Sequence, residues 1–297
     1  MTEISRRSLL QLSAASATAG LASAAVRTQD PKPAPKASGD AERPKRIRQS
    51  GVAWCYGGPL KELATLCVEL GITGIDVVHP NKWEVLKEHG LECSLTNAAG
   101  NGFGIVRGLN QPKNHEGYLA MIRQRIDESA AAGFKNVLVF SGNRAPGLSD
   151  ADGLKHAAKA LKQVVGYAAE KGQVLMMELL NSKRGHRGYM FDRTQWGVDL
   201  VQAVGSDSFK LVYDIYHAQI MEGDVISTIR EHHENFGHYH TAGVPGRSNL
   251  DDTQELNYAA IMRAIAETGF TGYVGQEFRP RGDRIAAFRQ AVEVCDV

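Results

Sequence analysis

Cysteine is scarce in this chain, and the cysteines that do occur are widely separated. The 297 residues include four, and no two of them form a CxxC pair: Cys55, Cys67, Cys93 and Cys295. Structural zinc knuckles and disulfide frameworks need closely spaced cysteines, so the sequence predicts neither. We expect the four thiols to be buried and free.

A charge excess of either sign is also lacking. Lys and Arg number 34 against 33 Asp and Glu, which gives a formal net charge of +1. Proteins that bind nucleic acid or anionic membranes usually carry a basic excess, so the composition gives no reason to expect either partner. The hydrophobic fraction of 43% is sufficient for a large core, and we expect a globular protein.

The N-terminal segments lack the pattern of a folded domain. Residues 1–25 carry a twin arginine, in SRRSLL, before a weakly apolar run that ends in ASA, which is typical of a Tat export signal. An amphipathic terminal helix is the alternative, but the run is too short and too rich in Ala and Ser to span a bilayer. Residues 26–48 are rich in Pro and Lys and are predicted to form a flexible, disordered linker.

These segments predict a protein that leaves the cytoplasm. We expect the signal to be cleaved, which leaves a periplasmic or otherwise exported protein with no membrane association. The folded body is predicted to occupy residues 49–297.

Short apolar runs recur along this body and alternate with helical patterns. Eight such runs occur: SGVAWCY, GIDVV, ECSLTNA, NVLVFSG, QVLMMELLN, FKLVYDIYH, FGHYHTAG and GYVGQEF. Most are continuously apolar, as parallel strands covered on both faces are. Eight βα units in roughly 250 residues predict an α/β protein with a single (β/α)₈ TIM barrel. A doubly wound open sheet is the alternative, but no GxGxxG motif follows the first strand.

One polar residue stands near the end of each of the last four predicted strands. They are about one βα unit apart: Glu178, Asp214, His240 and Glu277. The carboxyl ends of the strands of a barrel converge on its catalytic face, so these four side chains are predicted to lie close together there. Three carboxylates and one imidazole suit a divalent cation such as Mg²⁺, Mn²⁺ or Co²⁺. Each residue alone has an ordinary explanation, a helix cap or a core hydrogen bond, but four on consecutive strands favour a metal site.

Three segments resemble a known family. YDIYHAQIMEGD, NYAAI after the seventh strand and GYVGQEF in the eighth are similar to the hydroxypyruvate isomerase family within the xylose isomerase-like TIM barrels. The resemblance covers nearly the whole body from residue 50 onward. It implies that the four strand-end residues ligate a metal and that Glu178 and Glu277 also carry protons. The sequence departs from the family pattern at His240, where hydroxypyruvate isomerases usually carry glutamine and ketose 3-epimerases carry histidine.

Three further residues are predicted to contact substrate. His217 matches the histidine of the YDIYH motif, so the resemblance implies that it donates to a substrate oxygen. Arg247 ends the loop after FGHYHTAG, and the resemblance makes it a substrate contact as well. Arg107 follows the glycine-rich segment AAGNGFG, a predicted lid, and is a candidate partner for a substrate carboxylate. Ordinary loop roles remain the alternative for all three. His238 shares a strand face with His240 and is expected either to fill the pore or to support the ligand residues from beneath.

The predicted reaction is an isomerisation of a small hydroxycarbonyl compound. A cation chelated by both substrate oxygens would acidify the intervening C–H. One of the two glutamates, Glu178 or Glu277, would then take the proton and the other would return one to the neighbouring carbon, through an enediolate. Conversion of hydroxypyruvate to tartronate semialdehyde is the leading reaction. Sugar (ketose) 3-epimerisation is the alternative, because His240 and the export signal favour it.

Other functional classes stay open. A lyase or dehydratase would use the same enediolate. A nuclease of the endonuclease IV type would need a histidine cluster for several zinc ions, and the sequence lacks one. A sugar-binding barrel without catalysis would not need two glutamates at one ligand. A homo-oligomer is compatible with each of these functions.

Overall fold

The structure is a computed structural model that describes residues 47–297. The predicted export signal, residues 1–25, and nearly all of the predicted linker therefore lie outside the described residues. Ile47 is buried, and Arg48 begins the first strand. The first strand thus includes Arg48, one residue before the predicted start of the folded body at residue 49.

Eight short parallel strands form the centre of the described chain. They are β1 (Arg48–Val52), β2 (Gly74–Asp76), β3 (Thr96–Asn97), β4 (Asn136–Val139), β5 (Val174–Glu178), β6 (Phe209–Asp214), β7 (Phe236–Thr241) and β8 (Tyr273–Gln276). Their order in the sheet is β2-β1-β8-β7-β6-β5-β4-β3. Each strand overlaps one of the eight predicted apolar runs, which confirms the predicted strand count.

Backbone hydrogen bonds join the two ends of this sheet. The amide of Ile75 in β2 donates to the carbonyl of Glu92 at 2.9 Å, and the amide of Val77 donates to Leu95 at 2.8 Å. Glu92 and Leu95 belong to the segment that leads into β3. These bonds nearly close the sheet on itself, and the prediction of a single (β/α)₈ barrel is confirmed.

Helices cover the outside of the barrel. They are α1 (Leu60–Glu69), α2 (Trp83–Glu88), α3 (His115–Ala132), α4 (Asp150–Leu161), α5 (Val165–Glu170), α6 (Thr194–Val204), α7 (Ile215–Met221), α8 (Val225–His232), α9 (Tyr258–Glu267) and α10 (Arg284–Cys295). The run FKLVYDIYH was predicted as one strand, but its last three residues begin α7. The side chain of Asp214 accepts from the amide of His217 at 3.1 Å and caps that helix, which ends the strand.

The interior is apolar between strands and helices, as the composition predicts. Met177, Leu211, Val212 and Val274 lie on the central strands and are at most 1% exposed. All four cysteines are buried and free, which confirms that expectation. Across residues 47–297, no helix is both long and apolar enough to cross a membrane.

Candidate active site

The four predicted metal ligands stand at the carboxyl ends of consecutive strands. Glu178 and Asp214 are the last residues of β5 and β6. His240 is the penultimate residue of β7, and Glu277 directly follows β8. All four side chains are buried, with residue exposures of at most 5%. The parallel arrangement therefore brings them to the same rim of the barrel.

These side chains converge on one point. One ligand atom from each lies within 4.8 Å of the others. Nδ1 of His240 lies 2.9 Å from Oε1 of Glu178 and 3.1 Å from Oε2 of Glu277. Gly275 on β8 provides room for this ring, because an added Cβ there would collide with His240 and Asp76. The structure thus brings together all four residues, and their role as ligands stays a prediction.

The three carboxylates have unequal surroundings. Burial raises the pKa of Glu178, and the charge of Glu277 raises it further. Burial also raises the pKa of Asp214 well above its usual range, against the opposing charge of Arg247. At Glu277 burial is outweighed, because Arg247 and His240 hold the pKa of this carboxyl well below its usual range. Glu277 is therefore the most readily ionised of the three.

A divalent cation fits this set of donors. Burial opposes a charge on His240, but the surrounding carboxylates, Glu277 first among them, outweigh it and hold the pKa of His240 well above its usual range. A proton on Nδ1 lies between two carboxylates, and a cation bound by the same atoms would replace it. Carboxylate oxygens with one imidazole nitrogen are ligands that Mg²⁺, Mn²⁺ and Co²⁺ accept.

Asp76 at the end of β2 belongs to the site, and our sequence analysis missed it. It is fully buried and accepts hydrogen bonds from Nε2 of His238 at 2.8 Å and from Nε2 of His240 at 3.2 Å. The hydroxyl of Ser50 donates to it at 3.0 Å, and that of Ser94 donates to its other oxygen. Asp76 thus keeps a proton on Nε2 of His240 and turns Nδ1 toward the carboxylates.

His238 lies below the ligands, as expected. It is fully buried, and its ring centroid is 5.0 Å from that of His240. Its contact with Asp76 makes it part of the support for His240. Its burial and its contact with Asp76 agree with the expected role in filling the pore or supporting the ligand residues.

Arg247 and Trp54 hold Glu277 from two sides. A guanidinium nitrogen of Arg247 lies 2.5 Å from Oε2 of Glu277 and 3.5 Å from Oδ2 of Asp214. Nε1 of Trp54 donates to Oε1 of Glu277 at 3.1 Å. The guanidinium also lies 5.1 Å from the ring centroid of Trp54 and 5.4 Å from that of Tyr216. Both oxygens of Glu277 therefore accept a hydrogen bond.

His217 is a buried, neutral hydrogen-bond donor. Its Nδ1 accepts from the backbone amide of Asn181 at 3.0 Å, so the ring proton is on Nε2. Nε2 has no hydrogen-bond partner in the described chain and lies 3.5 Å from Oδ2 of Asp214. Burial lowers the pKa of His217 well below its usual range, and the charge of Arg247 lowers it further. An N–H group is thus available to a ligand.

These groups face a cavity of about 600 Å³. The predicted residues Glu178, His217, Arg247 and Glu277 line it, whereas Asp214 and His240 lie beneath. Side chains that our sequence analysis did not assign also line it: Trp54, Asn97, Asn181, His186, Tyr216 and Arg279. Most of these belong to loops, where no periodic pattern marks a functional residue.

Two residues of the upper loops have particular positions. Arg107 is exposed and packs its guanidinium 4.6 Å from the ring centroid of Phe103, so the structure does not bring it into the cavity. Val77 follows Asp76, lines the cavity and has a φ of 58°. A β-branched residue in this region is strained, and such strain is concentrated at functional sites.

Fold and site together define a class: a TIM barrel whose last four strands present an acidic and histidine site fitted to a divalent cation. Residues 64–296 match the family model described as xylose isomerase-like TIM barrel. The match covers more than half of the chain, and the protein belongs to this family.

Two named isomerases are similar to this chain in sequence. The chain is 31% identical over 201 residues to 2-oxo-tetronate isomerase of Cupriavidus necator, covering 66% of this chain and 75% of that protein. It is 26% identical over 229 residues to hydroxypyruvate isomerase of Escherichia coli (strain K12), covering 74% and 88%.

Solved structures share the fold. An AP endonuclease of family 2 from Brucella melitensis superimposes with a TM-score of 0.73 at 23% identity, covering 82% of this chain and 97% of that one. An L-ribulose 3-epimerase superimposes with a TM-score of 0.66 at 18% identity, covering 82% and 92%. At these identities the likeness concerns the fold alone.

Proposed function

We propose that this protein is a divalent-metal-dependent isomerase of a small hydroxycarbonyl compound, with hydroxypyruvate as substrate and tartronate semialdehyde as product. The observation that carries the proposal is the pair Glu178 and Glu277, which flank Nδ1 of His240 at 2.9 Å and 3.1 Å at the base of the cavity. The names of the isomerase relatives support the substrate class.

Glu178, Asp214, His240 and Glu277 would hold the cation. When bound, it would polarise the substrate carbonyl and acidify the neighbouring C–H group. Asp76 would keep the ring of His240 in the required orientation and tautomer.

Glu277 is the group that we assign to proton removal. Arg247 and His240 hold its pKa well below its usual range, so it is ionised and can accept a proton, and Trp54 and Arg247 fix its direction. It would take a proton from C3 of hydroxypyruvate and leave an enediolate across C2 and C3. His217 would donate its Nε2 proton as a hydrogen bond to a substrate oxygen on which charge develops.

Glu178 is the group that we assign to proton return. Burial raises its pKa, so it can carry a proton into the reaction. It would deliver this proton to C2 while a proton moves from the C3 hydroxyl to the C2 oxygen, which completes tartronate semialdehyde. Glu277 would then release its proton to solvent and Glu178 would regain one, so the enzyme returns to its starting state.

Ketose 3-epimerisation is the second candidate reaction. The observation that favours it is His240 at a position where the resembled hydroxypyruvate isomerases usually carry glutamine. Two glutamates flanking one point would also serve an epimerase, which takes a proton from one face of a carbon and returns it to the other.

A substrate comparison tests the proposal. Protein loaded with Mg²⁺, Mn²⁺ or Co²⁺ is incubated with hydroxypyruvate and, separately, with free ketoses such as D-fructose, and the products are identified by NMR. We expect tartronate semialdehyde. Ketose turnover about a hundredfold above hydroxypyruvate turnover would show that the protein is a ketose 3-epimerase and not a hydroxypyruvate isomerase. Absence of turnover with every hydroxycarbonyl compound would refute both.

We also propose that residues 1–25 direct export, a proposal supported by the SRRSLL pattern. The mature protein is expected in the periplasm with an N-terminus near Ala25, and Arg6→Lys with Arg7→Lys is expected to retain it in the cytoplasm. N-terminal sequencing of protein from its native host checks this. An intact residue Met1 on the active protein would contradict it.

A further inference from the structure

Few side chains around the cavity carry a positive charge. The basic residues that line it are two histidines, His186 and His217, and two arginines, Arg247 and Arg279. Nδ1 of His217 accepts from the backbone amide of Asn181, so this ring carries no proton on Nδ1. Burial lowers the pKa of His186, and the charge of Arg247 lowers it further. Both rings are therefore neutral near pH 7. Only the two guanidinium groups remain as cations within the described lining.

Arg247 already has anionic partners. It lies 2.5 Å from Glu277 and 3.5 Å from Asp214, and only 14% of its side chain is exposed. A substrate carboxylate would have to compete with two buried carboxylates of the protein for this guanidinium. Removal of Arg247 from them would leave buried charges without a partner, which is costly.

Arg279 is placed differently. It follows Glu277 by two residues, and its backbone amide donates to the carbonyl of Arg247 at 2.8 Å, which anchors it at the cavity rim. Its guanidinium lies 5.4 Å from the ring centroid of Trp54. In the described chain it forms no ion pair and no side-chain hydrogen bond, and it is exposed to the cavity mouth.

Arg279 has no carboxylate partner among the described residues. Glu178, Asp214 and Glu277 surround the proposed cation site, Arg247 pairs with two of them, and Asp76 accepts from His238 and His240. Arg279 is thus the one guanidinium lining the described cavity that forms no ion pair. A guanidinium with free N–H groups beside an aromatic ring is suited to a two-point contact with a carboxylate.

We infer that Arg279 binds the carboxylate of the substrate and selects a small 2-oxo acid over a neutral sugar of the same length. The inference deepens the proposed function and rests on it for the identity of the reacting atoms. It assigns the anion contact to Arg279 instead of Arg107, which packs on Phe103 outside the cavity.

A matched pair of substrates tests the selection. Hydroxypyruvate and dihydroxyacetone share the hydroxyketone group and differ in a carboxylate against a hydroxymethyl group. We expect Arg279→Gln to lower kcat/KM for hydroxypyruvate by about 10- to 100-fold, the range for loss of a charge-assisted hydrogen bond, and to leave dihydroxyacetone nearly unchanged. Arg279→Lys should recover part of the loss, since it keeps the charge but not the two-point geometry.

Arg281→Gln is the matched control. It removes the same charge from the same loop, and Arg281 does not line the cavity. We expect Arg281→Gln to leave kcat/KM nearly unchanged for both hydroxypyruvate and dihydroxyacetone. Equal losses with both substrates in Arg279→Gln, or an equal loss of hydroxypyruvate activity in Arg281→Gln, would overturn the inference.

A binding measurement separates this inference from the proposed reaction. Glycerate has the carboxylate but no carbonyl group to isomerise, and glycerol lacks the carboxylate. Calorimetry with Mn²⁺-loaded protein is expected to show glycerate binding at least about tenfold weaker in Arg279→Gln than in the wild type or in Arg281→Gln. Equal affinities, or no glycerate binding to the wild type, would refute the role of Arg279. If neither hydroxypyruvate nor dihydroxyacetone is turned over, the proposed reaction is wrong. The glycerate titration still shows in that case whether Arg279 binds a carboxylate.

Discussion

The two sides of the cavity hold the same kind of side chain in different ways. On the β5 side, Glu178 hydrogen-bonds His240 and has no further side-chain partner in the described chain. On the β8 side, Glu277 accepts from both Trp54 and Arg247. Burial acts on both carboxyls, but only Glu277 has a guanidinium near enough to keep its pKa low. Two identical groups thus acquire different proton affinities, as acid and base pairs require.

The difference comes from the loops and not from the strands. Both glutamates stand at strand ends, so the barrel alone would treat them alike. Trp54 comes from the loop after β1, and Arg247 from the loop after β7. A symmetric scaffold is made asymmetric by two loop residues, and that asymmetry assigns the direction of proton transfer.

Removal of the cation should have the largest effect, because the cation is expected to be bound by the glutamates of both sides of the cavity, Glu178 and Glu277. Dialysis against EDTA should lower isomerase activity by at least about a thousandfold, since a metal ion contributes several kcal/mol to charge stabilisation. Added Mn²⁺ or Mg²⁺ should restore it, with the metal content followed by mass spectrometry. Full activity in protein free of metal would show that the two glutamates act without a cation.

Replacement of either glutamate by its amide should have the next largest effect. Glu178→Gln and Glu277→Gln are each expected to lower kcat by about two to four orders of magnitude, as loss of a general acid or base does. Circular dichroism and metal content serve as controls for folding and loading. Wild-type kcat in one of the two variants would mean that a single glutamate performs both proton steps.

Asp76→Asn should weaken the cation site below both sides. It removes the charge that accepts from His238 and His240, and loss of such a supporting group typically costs about 10- to 100-fold in metal affinity. Competition with a chelator measures this affinity. Ser50→Ala is the control, because it removes one hydrogen bond to Asp76 and leaves both histidine contacts. Equal metal affinities in Asp76→Asn and Ser50→Ala would show that the charge of Asp76 does not support the cation site.

Trp54→Phe should have the smallest effect and probes the β8 side alone. It keeps an aromatic ring for Arg247 and Arg279 and removes the N–H that donates to Glu277. We expect kcat to change by about three- to tenfold, the size of one ordinary hydrogen bond, because Glu277 keeps its contact with Arg247. Measured kcat equal to that of the wild type would indicate that Arg247 alone sets the properties of Glu277.

The fold and the central residues were open to prediction from sequence for one reason. Eight apolar runs repeat at regular spacing, and a charge inside such a run has no explanation in packing. Glu178 and Asp214 were found in this way. Asp76 interrupts GIDVV in the same manner, but only the last four strands were searched for such charges.

Trp54 and Arg279, which lie in loops outside the motifs that carry the family resemblance, were not open to prediction. Trp54 donates to Glu277 across 223 positions of sequence, and no local pattern reports a contact of that range. Arg279 differs from other exposed arginines only in its position above the cavity. Arg107, predicted as a carboxylate partner, packs on Phe103 because a neighbouring aromatic ring in its own loop is available to its guanidinium.

The path of the transferred hydrogen tests the central claim most directly. Hydroxypyruvate is isomerised in D₂O, and the mixture is reduced at once with borodeuteride. Glycerate formed from the product then carries deuterium at C3, so its C2 position can be examined by NMR apart from glycerate formed from unreacted hydroxypyruvate. If Glu178 and Glu277 carry protons that exchange with solvent, the first turnovers will place deuterium at C2. Product that retains the C3 hydrogen at C2, with no deuterium from solvent, would contradict the account, because the hydrogen would then have passed to C2 directly or on a single group instead of being removed by one glutamate and replaced by the other.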